Sequence, residues 1–406
     1  MIPFSPPRID QKIIDEVVDT LRSGWITTGP KTKLFEKKIQ EYCKTPSVVC
    51  VSSATAGLEL VLRWFGVKEG DEVIVPAYTY CATANVVIHC GATPVMVDVN
   101  PLDFNLSYDA LEKAISPRTK VIIPVDIAGM PCDYQRINQL VKSEPVKNLF
   151  QPENDVQQQL GRILVLSDAA HSFGAKHNND YTGVLTDITV FSFHAVKNLT
   201  TAEGGAICFH LPSPFLNDEL YKQFCIFSLH GQSKDALAKM QKGGWRYDVV
   251  NAGYKANMTD ILASIGLVEI ERYKDDTLKK RKYIFDFYAG YFSAFDWAEL
   301  PQYETCNRIS SYHVFLLRIR NVNEEQRDQI IQEIFSKEVS VNVHFQPLPL
   351  LSFYRNMGYD MQDFPVAYDN YSRCISLPVF YDMTGEMLAE VCSAVSDSVY
   401  EICNFS

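Results

Sequence analysis

Apolar positions along the first two-thirds of the chain fall into two kinds of run. Residues 10–22 place Ile13, Ile14, Val17, Val18 and Leu21 at helical spacing, and Gly24 follows as a stop. Further on, short and nearly continuous Val/Ile/Leu runs predict strands at 72–76, 93–99, 119–127, 162–168, 187–193 and 204–210. Helical stretches such as 109–115 separate them. A strand that is apolar throughout is buried on both faces. The pattern therefore predicts an α/β fold, a mostly parallel sheet with helices on each side. Ligands of such sheets gather at the carboxyl ends of the strands.

The pattern changes after a long predicted helix at 258–273. A Lys/Asp/Tyr-rich helix (274–292), a strand (312–320), a helix (324–337), a strand (339–345) and a last helix (384–402) predict a smaller α+β domain. The expected division is 1–268 for the large domain and 269–406 for the small one. Residues 143–161 are polar and aperiodic, which predicts a surface excursion. Residues 231–244 hold three glycines and read as a mobile loop.

With 406 residues, 47% hydrophobic and 21% charged, the chain suits a globular protein with a large core. Its net charge of −11 gives little pull on nucleic acid. The first twelve residues lack signal-peptide architecture, and no run is long and apolar enough for a membrane helix. Neither a nucleic-acid nor a membrane role is expected, and the cytoplasm is. The 11 cysteines form no C-x-x-C pair, so they read as small buried hydrophobes in a reducing compartment, with no metal site.

Four tracts after predicted strands carry candidate chemistry. VSSATAGLEL leads into a helix whose N-terminus suits a phosphate, although a plain Ser/Thr N-cap explains it as well. VPAYTYCATAN brings Tyr78 and Tyr80 to the sheet edge, where one ring stacks on a flat ligand or packs in the core. ILVLSDAAHSFGA presents Asp168 and His171. An aspartate there is able to pair with a pyridinium nitrogen. VFSFHAVKNLTTAEGG presents Ser192, His194 and Lys197 before a Glu-Gly-Gly turn. A lysine in a cleft loses its charge readily and attacks an aldehyde. Phosphate cradle, aromatic, aspartate and lysine, in that order, are stronger together than any one alone.

These tracts, with SGWITTGPKTKLFE, GYKANMTDILASIGL, SSYHVFLLR and VHFQPL, resemble the DegT/StrS family of sugar-nucleotide aminotransferases over nearly the whole chain. The resemblance implies the type I, aspartate-aminotransferase-like fold and pyridoxal 5′-phosphate as cofactor. It implies that Lys197 carries the cofactor as a Schiff base and that Asp168 pairs with its ring nitrogen. His171 would lie beside the ring, Tyr80 would stack on it, and Thr55, Ala56 and Ser192 would bind the phosphate. Lys255 stands where many relatives have asparagine, which reaches the phosphate of the neighbouring subunit, and Asn257 is the fallback. A homodimer with shared sites is therefore expected. Trp25, Thr28 and His344 are sugar-pocket candidates by resemblance.

The implied substrates are L-glutamate and a nucleotide-linked keto-sugar. The Lys197–Glu203 tract looks closer to members that aminate C4, including those making 4-amino-arabinose or 4-amino-6-deoxyhexoses. This points to a UDP-linked 4-keto-6-deoxy-sugar for surface polysaccharide or glycan, with C3 amination as the alternative. Related dehydratases have histidine in place of Lys197. A non-catalytic binding protein on the same fold is the rival of another class.

Overall fold

The computed structural model describes residues 1–234 and 245–403. Most of the loop expected at 231–244 lies outside the described residues. The main sheet is built from β1 (Ser47–Val51), β2 (Glu72–Pro76), β3 (Thr93–Val97), β4 (Thr119–Ile122) and β5 (Leu164–Asp168). After a two-stranded hairpin of β6 (Lys176–His177) and β7 (Asp180–Tyr181) come β8 (Ile188–Ser192) and β9 (Gly205–Phe209). The spatial order is β1-β9-β8-β5-β4-β2-β3. β3, β2, β4, β5 and β8 run parallel to one another, and β9 runs antiparallel to both β8 and β1. The expected mostly parallel sheet is present. Its one reversal follows the turn at Glu203-Gly204, which sends the chain straight back beside β8.

Helix α1 (Gln11–Ser23) ends as expected at Gly24, whose φ of 74° is the left-handed conformation of a C-cap. Helix α2 spans Pro30–Cys43, α3 Ala54–Trp64 and α4 Ala82–His89. Gly57 lets α3 lie close on the sheet, since a Cβ there would come 2.9 Å from Val190 Cγ1. Gly205 does the same at the helix start, where a Cβ would lie 2.6 Å from the Ala54 nitrogen. Two missing side chains thus set the α3 N-terminus over the strand ends.

A second core forms around the antiparallel sheet of β10 (Ala298–Glu299), β12 (Phe315–Ile319) and β13 (Cys374–Leu377). The short β11 (Arg308–Ile309) pairs instead with β6. Ile2 belongs to this second core and bridges to Val339. The chain start is therefore tied to the C-terminal elements.

Two expectations need correction. Residues 339–345 do not form a strand. Val339 and Val341 are buried in alternation, but the pairing is limited to single bridges, Ile2–Val339 on one side and Asn342–Ser376 on the other. Residues 143–161 are the surface excursion expected, with only Val146, Phe150 and Gln157 buried, but they are not without regular structure. They hold helices Glu144–Leu149 and Asp155–Leu160, each too short to show a period. Asn154 and the buried Gln157 donate from their amides to Phe65 O at 3.1 and 2.9 Å, so this excursion caps the carboxyl end of α3.

Candidate active site

A cavity of about 550 Å³ opens at the carboxyl ends of the parallel strands. Ser53, Thr55, Tyr80, Asp168, His171, Ser192, His194 and Lys197 line it, and His313, Asn342, His344 and Phe345 face them from the C-terminal third.

Asp168 ends β5 and is buried. One carboxylate oxygen accepts from Thr83 Oγ1 at 2.8 Å and the other from the Ala170 N–H at 3.2 Å. Thr83 sits in the first turn of α4, and its hydroxyl is 2.9 Å from that of Thr79. Burial pushes the Asp168 carboxyl up, against the lowering pull of these two donors and of the Lys197 charge.

Lys197 lies half-buried in the turn that joins β8 to β9. Burial lowers its amine to about 8, with Asp168 opposing. About a tenth of it is therefore neutral at pH 7, far more than for a lysine in solvent, and the neutral amine is the nucleophile. His171 is held well below the ordinary histidine range by burial and by the nearby positive charge of Lys197. Its ring stacks 5.6 Å from Phe345, and its Nδ1 is buried without a hydrogen-bond partner among the described residues. An orphaned buried nitrogen at the cavity wall marks a place for a ligand.

At the α3 N-terminus, Ser53 caps the helix by accepting from the Ala56 N–H at 3.1 Å. Both readings of VSSATAGLEL hold there. The serine is an N-cap, and the first turn still presents the free N–H groups and partial positive charge of a helix start to the cavity. The two tyrosines divide their roles. Tyr78 is buried and donates its hydroxyl hydrogen to His344 O at 2.5 Å, whereas Tyr80 is 60% exposed and faces the cavity.

Lys255 is not on the cavity wall of its own chain. Its Nζ bonds to Asn257, which in turn donates to Thr28 Oγ1 at 2.6 Å. Trp25 donates to Thr28 O at 3.2 Å and covers Gly29. Neither Trp25 nor Thr28 lines the cavity. The C-terminal wall contains what sequence reasoning missed. His313 and Phe345 lay inside quoted tracts, SSYHVFLLR and VHFQPL, but nothing in their spacing marked them. Thr83 had a readable signal, a hydroxyl at the start of a helix beside the tyrosine pair.

A model of the DegT/DnrJ/EryC1/StrS aminotransferase family matches residues 7–151 and 154–396. The chain belongs to that family. The putative sugar aminotransferase Spr1654 of Streptococcus pneumoniae, solved in a PMP-form, is 47% identical, with 99% of this chain and 100% of that one covered and a TM-score of 0.95. Its PLP-form gives 45% identity, 99% coverage of each chain and a TM-score of 0.93. The uncharacterized protein MJ1066 of Methanocaldococcus jannaschii is 36% identical over 404 residues, 98% of each chain. The spore coat polysaccharide biosynthesis protein SpsC of Bacillus subtilis is 34% identical over 402 residues, 98% of this chain and 97% of that one. Membership places the chain among the pyridoxal-phosphate-dependent sugar aminotransferases of type I fold. The cavity fits that cofactor: a poised amine, a buried carboxylate seeking a positive partner, an unpartnered imidazole nitrogen and a helix N-terminus for the phosphate.

Proposed function

We propose that the protein transfers the amino group of L-glutamate to a UDP-linked 4-keto-6-deoxy-sugar in the cytoplasm, for surface polysaccharide or glycan. The observation that carries this reading is the single cavity in which Lys197, Asp168 and His171 meet beneath the α3 N-terminus. The names of SpsC and Spr1654 support a sugar acceptor and a polysaccharide product. The Lys197–Glu203 tract supports C4.

Bound pyridoxal phosphate supplies an electron sink for charge developing on the substrate carbon. The rest is the work of this chain's residues. Lys197 would hold the cofactor through its ε-nitrogen and, as a free amine, would carry a proton to and from the reacting carbon. Asp168 would hold a protonated ring nitrogen, a positive partner that would offset the cost of burying the carboxylate. Thr83 and the Ala170 N–H hold that carboxylate in place. Tyr80 and the neutral imidazole of His171 would hold the ring, and Thr55, the first turn of α3 with Ala56, and Ser192 would hold the phosphate.

The active unit in this reading is a homodimer with shared sites, in which Lys255 reaches the cavity of the neighbouring copy. Lys255 is exposed and turned away from its own cavity. It connects through Asn257 and Thr28 to a surface that includes Ile26, while Ile9, Ile14, Leu21 and Leu34 are also exposed apolar residues of the N-terminal segment and helices α1 and α2.

The test is incubation with L-glutamate and either 4-keto or 3-keto nucleotide-linked sugars, with the products read by mass spectrometry. Amination of the 4-keto compound is expected. Reaction with the 3-keto compound alone would move the regiochemistry to C3, and reaction with neither would remove the sugar reading.

A further inference from the structure

His313 has its tautomer set by a partner that is itself fixed. Asn198, the residue after Lys197, donates from Nδ2 to Ser311 O at 2.7 Å and lies 3.4 Å from the Tyr273 hydroxyl. A backbone carbonyl only accepts, so the amide nitrogen must face Ser311 and Oδ1 must face His313. That oxygen also only accepts. His313 Nδ1, 2.7 Å away, therefore carries the ring hydrogen, and Nε2 is left as a bare lone pair.

Nε2 finds no hydrogen-bond partner among the described residues and, unlike His171 Nδ1, is not sealed away. The ring lines the main cavity and also a side pocket of about 80 Å³ shared with Phe4, Val196, Asn342 and His344. Its ring stands 4.4 Å from that of His171, and both rings line the cavity with Lys197 and lie close enough to feel its charge. Burial, with His171 and the positive charge of Lys197 nearby, keeps it neutral. Its backbone is held as well: the buried Arg281 donates to Tyr312 O at 2.8 Å and His313 O at 2.6 Å. The wall thus presents a rigid acceptor that carries no hydrogen of its own.

Such an acceptor favours a ligand group that donates. We propose that His313 is a specificity-determining residue whose Nε2 accepts a hydrogen bond from the hydroxyl on the sugar carbon next to the reacting carbonyl. Carboxylates of the amino donor offer no hydrogen there, so His313 acts mainly in the sugar half of the cycle. A sugar lacking that hydroxyl leaves the buried lone pair unmatched, which is how polar pockets reject deoxy analogues. The inference rests on the sugar-acceptor reading above.

The experiment uses the holoenzyme and has three parts. Histidine ¹⁵N NMR of the wild type is expected to show His313 as the Nδ1–H tautomer; an Nε2–H tautomer overturns the proposal. Single-turnover kinetics compare a UDP-linked 4-keto-6-deoxyhexose with its 3-deoxy analogue. The wild type is expected to discriminate by about tenfold or more, and His313→Ala to lose that discrimination while the glutamate half-reaction falls much less than the sugar half. Equal losses in both halves, or discrimination that survives in His313→Ala, overturn it. If His313→Ala does not fold, the wild-type preference and Asn198→Ala, which frees the tautomer, carry the same comparison. No reaction of the wild type with any keto-sugar, with the tautomer as expected, would strike the sugar reading and leave the His313 geometry intact.

Discussion

The two walls of the cavity are built differently. The wall from the main sheet consists of short contiguous tracts, each directly after a strand: Ser53–Thr55 after β1, Tyr80 after β2, Asp168–His171 after β5 and Ser192–Lys197 after β8. The opposite wall takes His313 and Asn342–Phe345 from irregular segments around β12 and β13. Hydrogen bonds to the main unit put them there, among them Ser311 Oγ to His171 O at 2.5 Å, the Ser311 N–H to Gly129 O at 3.0 Å and the Leu348 N–H to Ala77 O at 2.9 Å. The first wall holds groups fitted for cofactor chemistry, and the second holds neutral rings and an amide. Chemistry shared by a fold sits on its regular strand ends, while the shape that selects a substrate sits on loops that the C-terminal elements bring in.

If this division is right, the largest effects come from the strand-end wall. Lys197→Ala is expected to retain pyridoxal phosphate without covalent attachment and to lose turnover by at least about a thousandfold, measured by steady-state kinetics and by mass spectrometry of borohydride-reduced protein. Normal turnover by that variant would show that Lys197 is not the essential amine of this wall. Thr83→Val, which removes a hydrogen bond to a buried carboxylate at little change in volume, is expected to lower kcat by about ten- to a hundredfold, since bonds to charged groups contribute about 1.5–3 kcal/mol. A similar loss from Phe345→Ala, whose ring belongs to the other wall, would blur the distinction.

The smallest effect sharpens it through pH. The Lys197 amine falls from 10.5 to about 8, so below pH 8 it is mostly protonated and a poor nucleophile. The rate at which the apoprotein takes up pyridoxal phosphate covalently is expected to rise up to about pH 8 and then flatten, followed by absorbance. An amine in solvent would keep gaining beyond pH 10. Between pH 8 and 10.5 the unfolded chain binds this proton more tightly than the native one, so the wild type should gain stability relative to Lys197→Met as pH rises through that window. The gain is modest, because the side chain is half-buried and partly screened.

Residue order alone showed six of the main sheet's strands, the helix that follows Ser53, the turn at Glu203-Gly204 and the strand-end positions of the groups from Thr55 to Lys197, whereas the spatial order of the strands and the reversal of β9 came from the tertiary structure. Each sequence signal is local: a continuous apolar run, a cap, or a polar residue directly after a strand. Residue order also suggested a strand at 339–345 that did not form, because alternation records which side chains are buried and says nothing about whether a neighbouring strand is there to pair. It missed the helices at Glu144–Leu149 and Asp155–Leu160, which are shorter than the window that makes a period visible. Only the tertiary structure decided that Tyr78 is buried and Tyr80 exposed, that Thr83 reaches Asp168 across 85 positions, and that Asn198 meets His313 across 115. Those contacts arise from packing one unit against another, and long-range closure leaves no trace in the spacing of residues along the chain.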